Sequence, residues 1–599
     1  MSTASRKPLR LWPGVFIAIL LVLVRFVLAV VSPDMLMYSV LGGLAGGVLI
    51  ALWWLLLSRA RWFERLGAIA LMIIGLYLAK RIVHESIAGG AMGYLMYFLA
   101  IPVLGLAFVA GAVASRRLAD GPRRATMAAT ILAACGGMAL IRTGGFTADF
   151  RNDIHWRWTK TPEDRLLAQS GIEPPAPPPV QVAPVVERQP LAPPVSEPVA
   201  PAPAAKLPPA APKVETGADW PGFRGPHRDG IVTGVRIKTD WTASPPVQLW
   251  RRPLGPGWSS FSVQGGLIYT QEQRGPDEVV ACYQLATGKP VWVHKDTARF
   301  YESNGGPGPR GTPTLSNGRA YTFGATGIVN ALDARTGAVV WSRKAAAETD
   351  TKTPEWGFAS SPLVVDDLVL VAVSGRLAAY DLATGAPRWT APPRGTSYSS
   401  PQLATIDGVK QVLLLSSEGL ASFAPADGAL LWEHKWKGYP IVQPALTVEG
   451  DVLISVSDQS GTRRLAATHG AGGWKVEEKW TSKGLKPYFN DFVVHNGYAF
   501  GFDGSILSCI DLKDGQRKWK GGRYGNGQLI LLADQDVLLI SSELGELALV
   551  GAGTEQYTEL AKFPALDGKT WNHPVLAGDI LLVRNGEEMV AFRLTVAGL

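Results

Sequence analysis

Cysteine is almost missing from this chain, with three in 599 residues, and the shortage excludes whole classes of chemistry. There is no Cys-x-x-Cys-His run, so covalent haem is excluded, and no His/Cys cluster has zinc-ligand spacing. Cys135 falls in an apolar segment. Cys282 and Cys509 occupy equivalent positions in different units of a repeat, which makes them small core residues too far apart to bridge. An exported domain can do without disulfides when its core is large. A basic surface is missing as well. The formal charge of +8 points to nucleic acid only until the chain is divided. Residues 1–217 hold 21 Lys and Arg against 12 Asp and Glu, and the remainder holds 37 against 38. The second part has no overall basic footprint, so no nucleic-acid partner is expected.

What the chain has instead is a repeat. Ala331-Leu-Asp-Ala-Arg-Thr-Gly-Ala-Val-Val-Trp341 reads as strand, tight turn and strand. Asp333 can accept bonds from the turn backbone, Gly337 supplies a positive φ, and Trp341 returns with a large ring to bury. Further copies are Asp381, Gly385 and Trp389, then Asp511, Gly515 and Trp519. Looser copies are Gly288 with Trp292 and Gly428 with Trp432, and a weak one ends at Trp480. These residues are expected to be structural. Periods of 40–50 residues holding four short strands mark β-propeller blades. Inner strands starting near 258, 312, 361, 400, 443, 490, 527 and 573 give an all-β propeller of eight blades, with seven as the alternative. The eighth unit stops at Leu594 without an outer strand or Trp, and Val247-Gln-Leu-Trp-Arg251 reads as that strand. Joining first and last strands in one blade would leave no free sheet edge.

Ahead of the repeat lies an α-helical membrane domain of about five spans. Apolar segments fall at 11–31, 36–57, 66–79, 92–114 and 125–141, most near the ~20 residues that cross hydrocarbon. Arg6, Lys7, Arg10, Arg59, Arg61, Arg65, Arg116, Arg117, Arg123 and Arg124 flank them on one side, against Lys80 and Arg81 on the other. That asymmetry places the N-terminus in the cytoplasm and everything after 141 outside, in a cytoplasmic (inner) membrane protein whose propeller lies in the periplasm or outside. Pro33-Asp34 is a poor cleavage site, which argues against a signal peptide. Arg25 lies within the first span, where it is expected to snorkel outward or pair with a neighbouring helix, the other reading being that it marks a functional site. The domains are expected at 1–145 (spans), 146–170 (juxtamembrane), 171–216 (linker) and 217–599 (propeller). In the second, Thr161-Pro-Glu-Asp164 opens a short helix near the membrane surface, with Trp156 and Trp158 at headgroup depth. The linker has 15 prolines in residues 173–212 and is expected to be an extended tether lifting the propeller off the bilayer.

Gly-x-x-x-Trp preceded by Ala-x-Asp resembles the tryptophan-docking repeat of pyrroloquinoline-quinone (PQQ) propeller proteins, over roughly residues 245–595. Asp219-Trp-Pro-Gly-Phe-Arg-Gly-Pro-His-Arg-Asp-Gly230 resembles their entry motif. There Trp220 and Phe223 can be buried, in what is expected to be a structural latch on the propeller, the other reading being that Arg224 or Arg228 contacts a ligand. Spans followed by an exported propeller resemble the membrane-bound quinoprotein glucose dehydrogenases, whose electrons go to ubiquinone. The propeller itself resembles the lipoprotein of the outer-membrane assembly machinery, without a lipobox Cys.

Lining up the loops that enter each inner strand gives the ligand-binding candidates: Trp258, Arg310, Trp356, Tyr398, Tyr439, Tyr488, Asn490, Asn526, Trp571 and His573, with Asn572 beside them. Such a ring suits a flat polar ligand or a peptide segment; alternatively its aromatics plug the channel. The resemblance implies an Asp base, a Ca²⁺ and a Trp floor in the enzymes. Ca²⁺ takes six to eight oxygens, whereas Glu302, Glu355 and Asp491 are scattered here, and no Cys-Cys pair is present. The expectation is therefore a membrane-anchored binding or scaffold module without PQQ or metal, with no catalytic residue assigned. Its partners would be membrane lipid and a protein or small ligand at the propeller face. The alternatives are a quinoprotein dehydrogenase using PQQ and calcium, and a sensor or assembly factor whose function lies in the membrane part.

Overall fold

A computed structural model describes residues 9–32, 35–147, 152–169, 219–457 and 459–598. Arg6, Lys7, Pro33-Asp34 and the linker at 171–216 lie outside them. Five long helices open the chain: α1 (Trp12–Val31), α2 (Leu36–Leu56), α3 (Trp62–Ile82), α4 (Leu95–Ala114) and α5 (Asp120–Gly137). The first four are long and apolar enough to cross a membrane. The fifth carries Asp120, Arg123 and Arg124 in its first turns, yet it runs the length of the bundle. At one end Glu64 bonds Arg124 at 2.8 Å and Arg123 at 3.3 Å, and the Arg10 amide donates to the Ser58 carbonyl. At the other end the Thr143 amide donates to Ser86 Oγ and Arg157 reaches the Ile82 carbonyl. Arg10, the α2–α3 turn and the start of α5 thus share one arginine-rich end. Arg25 sits in a π turn of α1 (Leu23–Val27) and pairs with α2, where Ser39 Oγ donates to its carbonyl at 2.8 Å.

Beyond α5 the chain forms a two-stranded hairpin, Ile141–Phe146 with Asn152–Trp156, which the polar, aromatic sequence did not announce. Helix α6 (Pro162–Leu167) follows as expected, with Thr161 and Asp164 closing a reciprocal capping box. The idea of a propeller lifted clear of the helices is corrected by direct contacts. Glu163 takes Arg299 bidentately at 2.8 and 3.0 Å and accepts the Gly275 amide, while the Ala91 amide donates to Asn304 Oδ1. One face of blades 1 and 8 rests on the segments that leave the helices.

The propeller has eight blades, seven four-stranded and one, blade 7, extended to five strands, with inner strands starting one to four residues after the expected positions. Closure is as expected: Val247–Pro253 pairs antiparallel with Glu588–Arg593 as the outer strand of blade 8. Trp250 opposes Ala591 ahead of a bulge, as Trp341 opposes Ala331 in blade 2, and is therefore the docking tryptophan that the eighth unit does not carry in its own sequence. The docking rule is physical. Each ring lies on the turn glycine of the next blade: a Cβ at Gly288, Gly337, Gly385, Gly428 or Gly515 would come within 2.4–2.9 Å of Trp250, Trp292, Trp341, Trp389 or Trp480. Most indole N–H groups donate to a backbone carbonyl just ahead of that glycine, as Trp292 to Ala334 and Trp341 to Leu382. The turn acids behave as expected, Asp333 and Asp381 each accepting two backbone amides and a threonine hydroxyl. Buried Arg584 ties blade 8 to blade 1 through Thr270 Oγ1 and the Gln271 carbonyl.

Residues 219–230 form the expected latch, and they run through the channel rather than over it. Trp220 bridges to Val263, the Pro221 carbonyl accepts from Leu315, and Arg228 donates to the Ser361 and Pro362 carbonyls. Gln402 donates to His227, Arg224 to Phe492, and Phe223 meets His573 edge-on at 4.9 Å. Six blades are pinned by one segment, and Ile231–Val232 then joins blade 7.

Candidate functional site

The loops that enter the inner strands bring six aromatic rings into one arc at the channel mouth. Trp258 packs on Trp571 (centroids 4.7 Å), Trp571 on Phe489 (4.9 Å) and Phe489 on Tyr488 (5.3 Å). Tyr488 then meets Trp356 edge-on at 6.4 Å, and Trp356 packs on Tyr398 at 4.9 Å. Five of these rings were expected; Phe489 was missed because a lone Phe beside a Tyr carries no repeat signal. Tyr439 is 65 % exposed and stands on the rim outside the arc. Burial raises the Tyr398 phenol, which keeps it a neutral hydroxyl.

One end of the arc is charged. Lys569 lies over Trp571 at 4.3 Å and over Trp258 at 5.3 Å, and it donates to the Asn304 carbonyl. Burial pushes its amine down to about 8, opposed by Glu302 and Glu543. Glu302 accepts the Asn304 amide at 2.7 Å and Arg310 at 3.2 Å. Arg310 also donates to the Gly306 and Trp356 carbonyls, and burial lowers it to about 10. Glu543 accepts Trp571 Nε1 at 2.7 Å and the Asn526 amide at 3.1 Å. Arg310 and Asn526 therefore shape the mouth through the loop backbone. Lys569 and Glu543 were missed, since each gains its neighbours only when the ring closes.

Behind the arc lie the buried amides. Asn490 Oδ1 accepts the Tyr488 amide, Gln528 donates to the Phe489 and Trp571 carbonyls, and Asn572 donates to the Gly257 and Ser259 carbonyls. Asn490 Nδ2, Gln528 Oε1 and Asn572 Oδ1 have no protein partner, nor has either side-chain atom of Gln443. Buried polar atoms left open in this way call for water or a polar ligand. Deeper still, Arg224 lies 3.7 Å from Asp491. Burial works to raise the Asp491 carboxyl, but Arg224 and His573 hold it below the usual range. Burial lowers His573, so its ring is neutral at pH 7, with Nε2 donating to Asp491 at 3.4 Å and Nδ1 an open acceptor. His573 thus belongs to the latch layer, below the mouth.

A quinone cofactor with its metal fits this mouth poorly. No group of three or more His, Cys, Asp or Glu could hold a metal among the described residues. The nearest carboxylates, Glu302 and Glu543, are occupied by backbone amides, Arg310 and Trp571, and the two indoles at that end, Trp258 and Trp571, are packed on each other.

The family model for outer membrane protein assembly factor BamB matches residues 247–409 and 416–591, together more than half of the chain. The chain belongs to the outer membrane protein assembly factor BamB family. BamB of Yersinia pestis is 24% identical over 290 residues, covering 46% of this chain and 61% of the relative. The lanthanide-dependent methanol dehydrogenase of Methylacidiphilum fumariolicum is 34% identical over 134 residues, covering 20% of this chain and 19% of the enzyme. The match therefore spans about three-fifths of the first relative's length and one-fifth of the second's. Among solved structures, BamB from Moraxella catarrhalis aligns with TM-score 0.44 at 12% identity, covering 58% of this chain and all of that one.

Proposed function

We propose that this chain is a membrane-anchored binding module that presents its channel mouth to a segment of a partner protein, without bound PQQ or calcium. The observation that carries this reading is the aromatic arc over unpartnered amides. Rings supply sequence-tolerant contact area and the amides supply adaptable bonds, a combination suited to an extended polypeptide. The relatives named for outer membrane protein assembly favour a protein partner. The helices hold the chain in the cytoplasmic membrane with the arginine-rich end inside, and the propeller on the outer side rests blades 1 and 8 on the helical domain. The arc then opens toward blades 3–6, where Tyr439 and Tyr488 are exposed.

Photo-crosslinking from position 488 in cells should trap one discrete protein, and Trp356→Ala should abolish the product while the protein level holds. Unchanged crosslinking in that variant would refute the reading. A quinoprotein dehydrogenase is the second reading, favoured by the 134-residue match to a methanol dehydrogenase. Stoichiometric uptake of PQQ with Ca²⁺ or a lanthanide, accompanied by dye-linked alcohol oxidation, would establish it instead.

A further inference from the structure

At the arginine-rich end of the helical domain a cavity of about 210 Å³ opens between α3 and α5. Leu71, Met127 and Ile131 line its apolar wall, and Glu64, Arg123 and Arg124 stand at its charged edge. Ile131 is seven residues along α5 from Arg124, so the apolar wall reaches roughly 10 Å below the charges at 1.5 Å per residue. Trp54 of α2 lines the cavity as well. It is 1 % exposed and packed edge-on against Phe108 at 4.9 Å, and its indole N–H has no acceptor. A buried N–H without an acceptor is costly in hydrocarbon, where water cannot satisfy it.

We infer that this cavity binds one anionic phospholipid of the leaflet at the arginine-rich end. An acyl chain would lie along Leu71, Met127 and Ile131, an ester oxygen would accept the Trp54 N–H, and the phosphate would meet Arg124. Charge complementarity selects the head group. Arg61, Arg123 and Arg124 face Glu64 and Asp120, which leaves one positive charge in excess, and Arg124 is 41% exposed and within reach of a phosphate. An apolar wall continuous with a cationic rim between membrane helices is the chemistry that recognises acidic lipids. The inference rests on the membrane reading given under Proposed function.

The test is native mass spectrometry of the full chain, extracted in non-ionic detergent and titrated separately with phosphatidylglycerol, phosphatidylcholine and inorganic phosphate. One phosphatidylglycerol should be retained per chain, at about fivefold preference over phosphatidylcholine, whose ammonium offsets its phosphate and so forfeits the net attraction that one arginine gives an acidic lipid. Arg124→Gln should abolish the preference. Ala128→Phe, which fills the cavity and leaves the charges in place, should abolish retention. A melting temperature matching the parent's shows that each variant is folded. Equal retention of the two lipids, retention undiminished in Ala128→Phe, or displacement of lipid by free phosphate would each overturn the inference. Carbonate extraction separates the two levels: a chain that stays with the membrane yet retains no lipid refutes the cavity alone, whereas release refutes the membrane reading.

Discussion

Trp341 and Trp356 are chemically the same side chain doing different work, and truncating each to alanine separates scaffold from site. Trp341 is 7 % exposed, lies between Tyr321 and Tyr380 at about 6 Å, and covers Gly385 of the next blade. Its loss should cost about 3–5 kcal/mol from transfer and cavity terms. No orphan carbonyl adds to that, because Leu382 still accepts Tyr321 Oη and Arg319. Trp356 is only half-buried, its indole N–H has no acceptor, and it touches Tyr398 and Tyr488. It should lose little beyond those ring contacts, about 1 kcal/mol. Urea unfolding of the full chain in detergent should therefore show a large midpoint drop for Trp341→Ala and a small one for Trp356→Ala, with crosslinking at the mouth lost only in the second. Equal destabilisation would mean that the arc is a structural plug, and the binding reading would fall with it.

Deleting 247–253 should expose the edge of Glu588–Arg593 and lower solubility sharply, whereas deleting 175–205 should leave the melting temperature nearly unchanged; matching melts would refute ring closure by that strand. Burial pushes Glu278 up to about 7 from the ordinary 4.5, against bonds from the Ala325 amide and Thr326 Oγ1. The native state then binds the extra proton between those values, so stability should fall as pH rises through that window, by up to about 3 kcal/mol. Glu278→Gln should flatten the pH dependence of urea unfolding, and an unchanged slope would refute the assignment. A reporter active only outside the cytoplasm, fused after residue 145, should be active; cytoplasmic-reporter activity there would overturn the proposed orientation.

The propeller was legible because its stabilising contact repeats in sequence. A glycine four residues ahead of a tryptophan fixes a turn and an outer strand together, and the same glycine is the seat for the previous blade's ring. Even the closure could be read from the missing strand after Leu594, though Trp250 shows its role only once its register against Ala591 is known. The mouth was half legible. Trp258, Trp356, Tyr398, Tyr488 and Trp571 announce themselves by their place before each inner strand. Phe489, Lys569 and Glu543 do not, because their partners sit on loops that only the closed ring brings together. The latch shows the same limit: its glycines and prolines say that it turns, and nothing in them says that Arg224 ends beside Asp491, far along the chain.

That latch bears on the proposed binding at the mouth. A channel through eight blades has two openings, and fold alone assigns function to neither. Both layers of the channel keep buried polar atoms without partners, and only those at the mouth lie beneath exposed rings. Arg224 and Arg228 spend their terminal guanidinium nitrogens on the Asp229, Phe492, Ser361 and Pro362 carbonyls and on Asp491, while Arg224 Nε, Arg228 Nε and His573 Nδ1 stay open. Asn490, Gln528 and Asn572 keep atoms without partners directly behind the aromatic arc. Buried amide atoms without a protein partner call for water or a ligand. Open amides with half-exposed rings above them are the reason the proposed partner is placed at the mouth and not at the opposite opening.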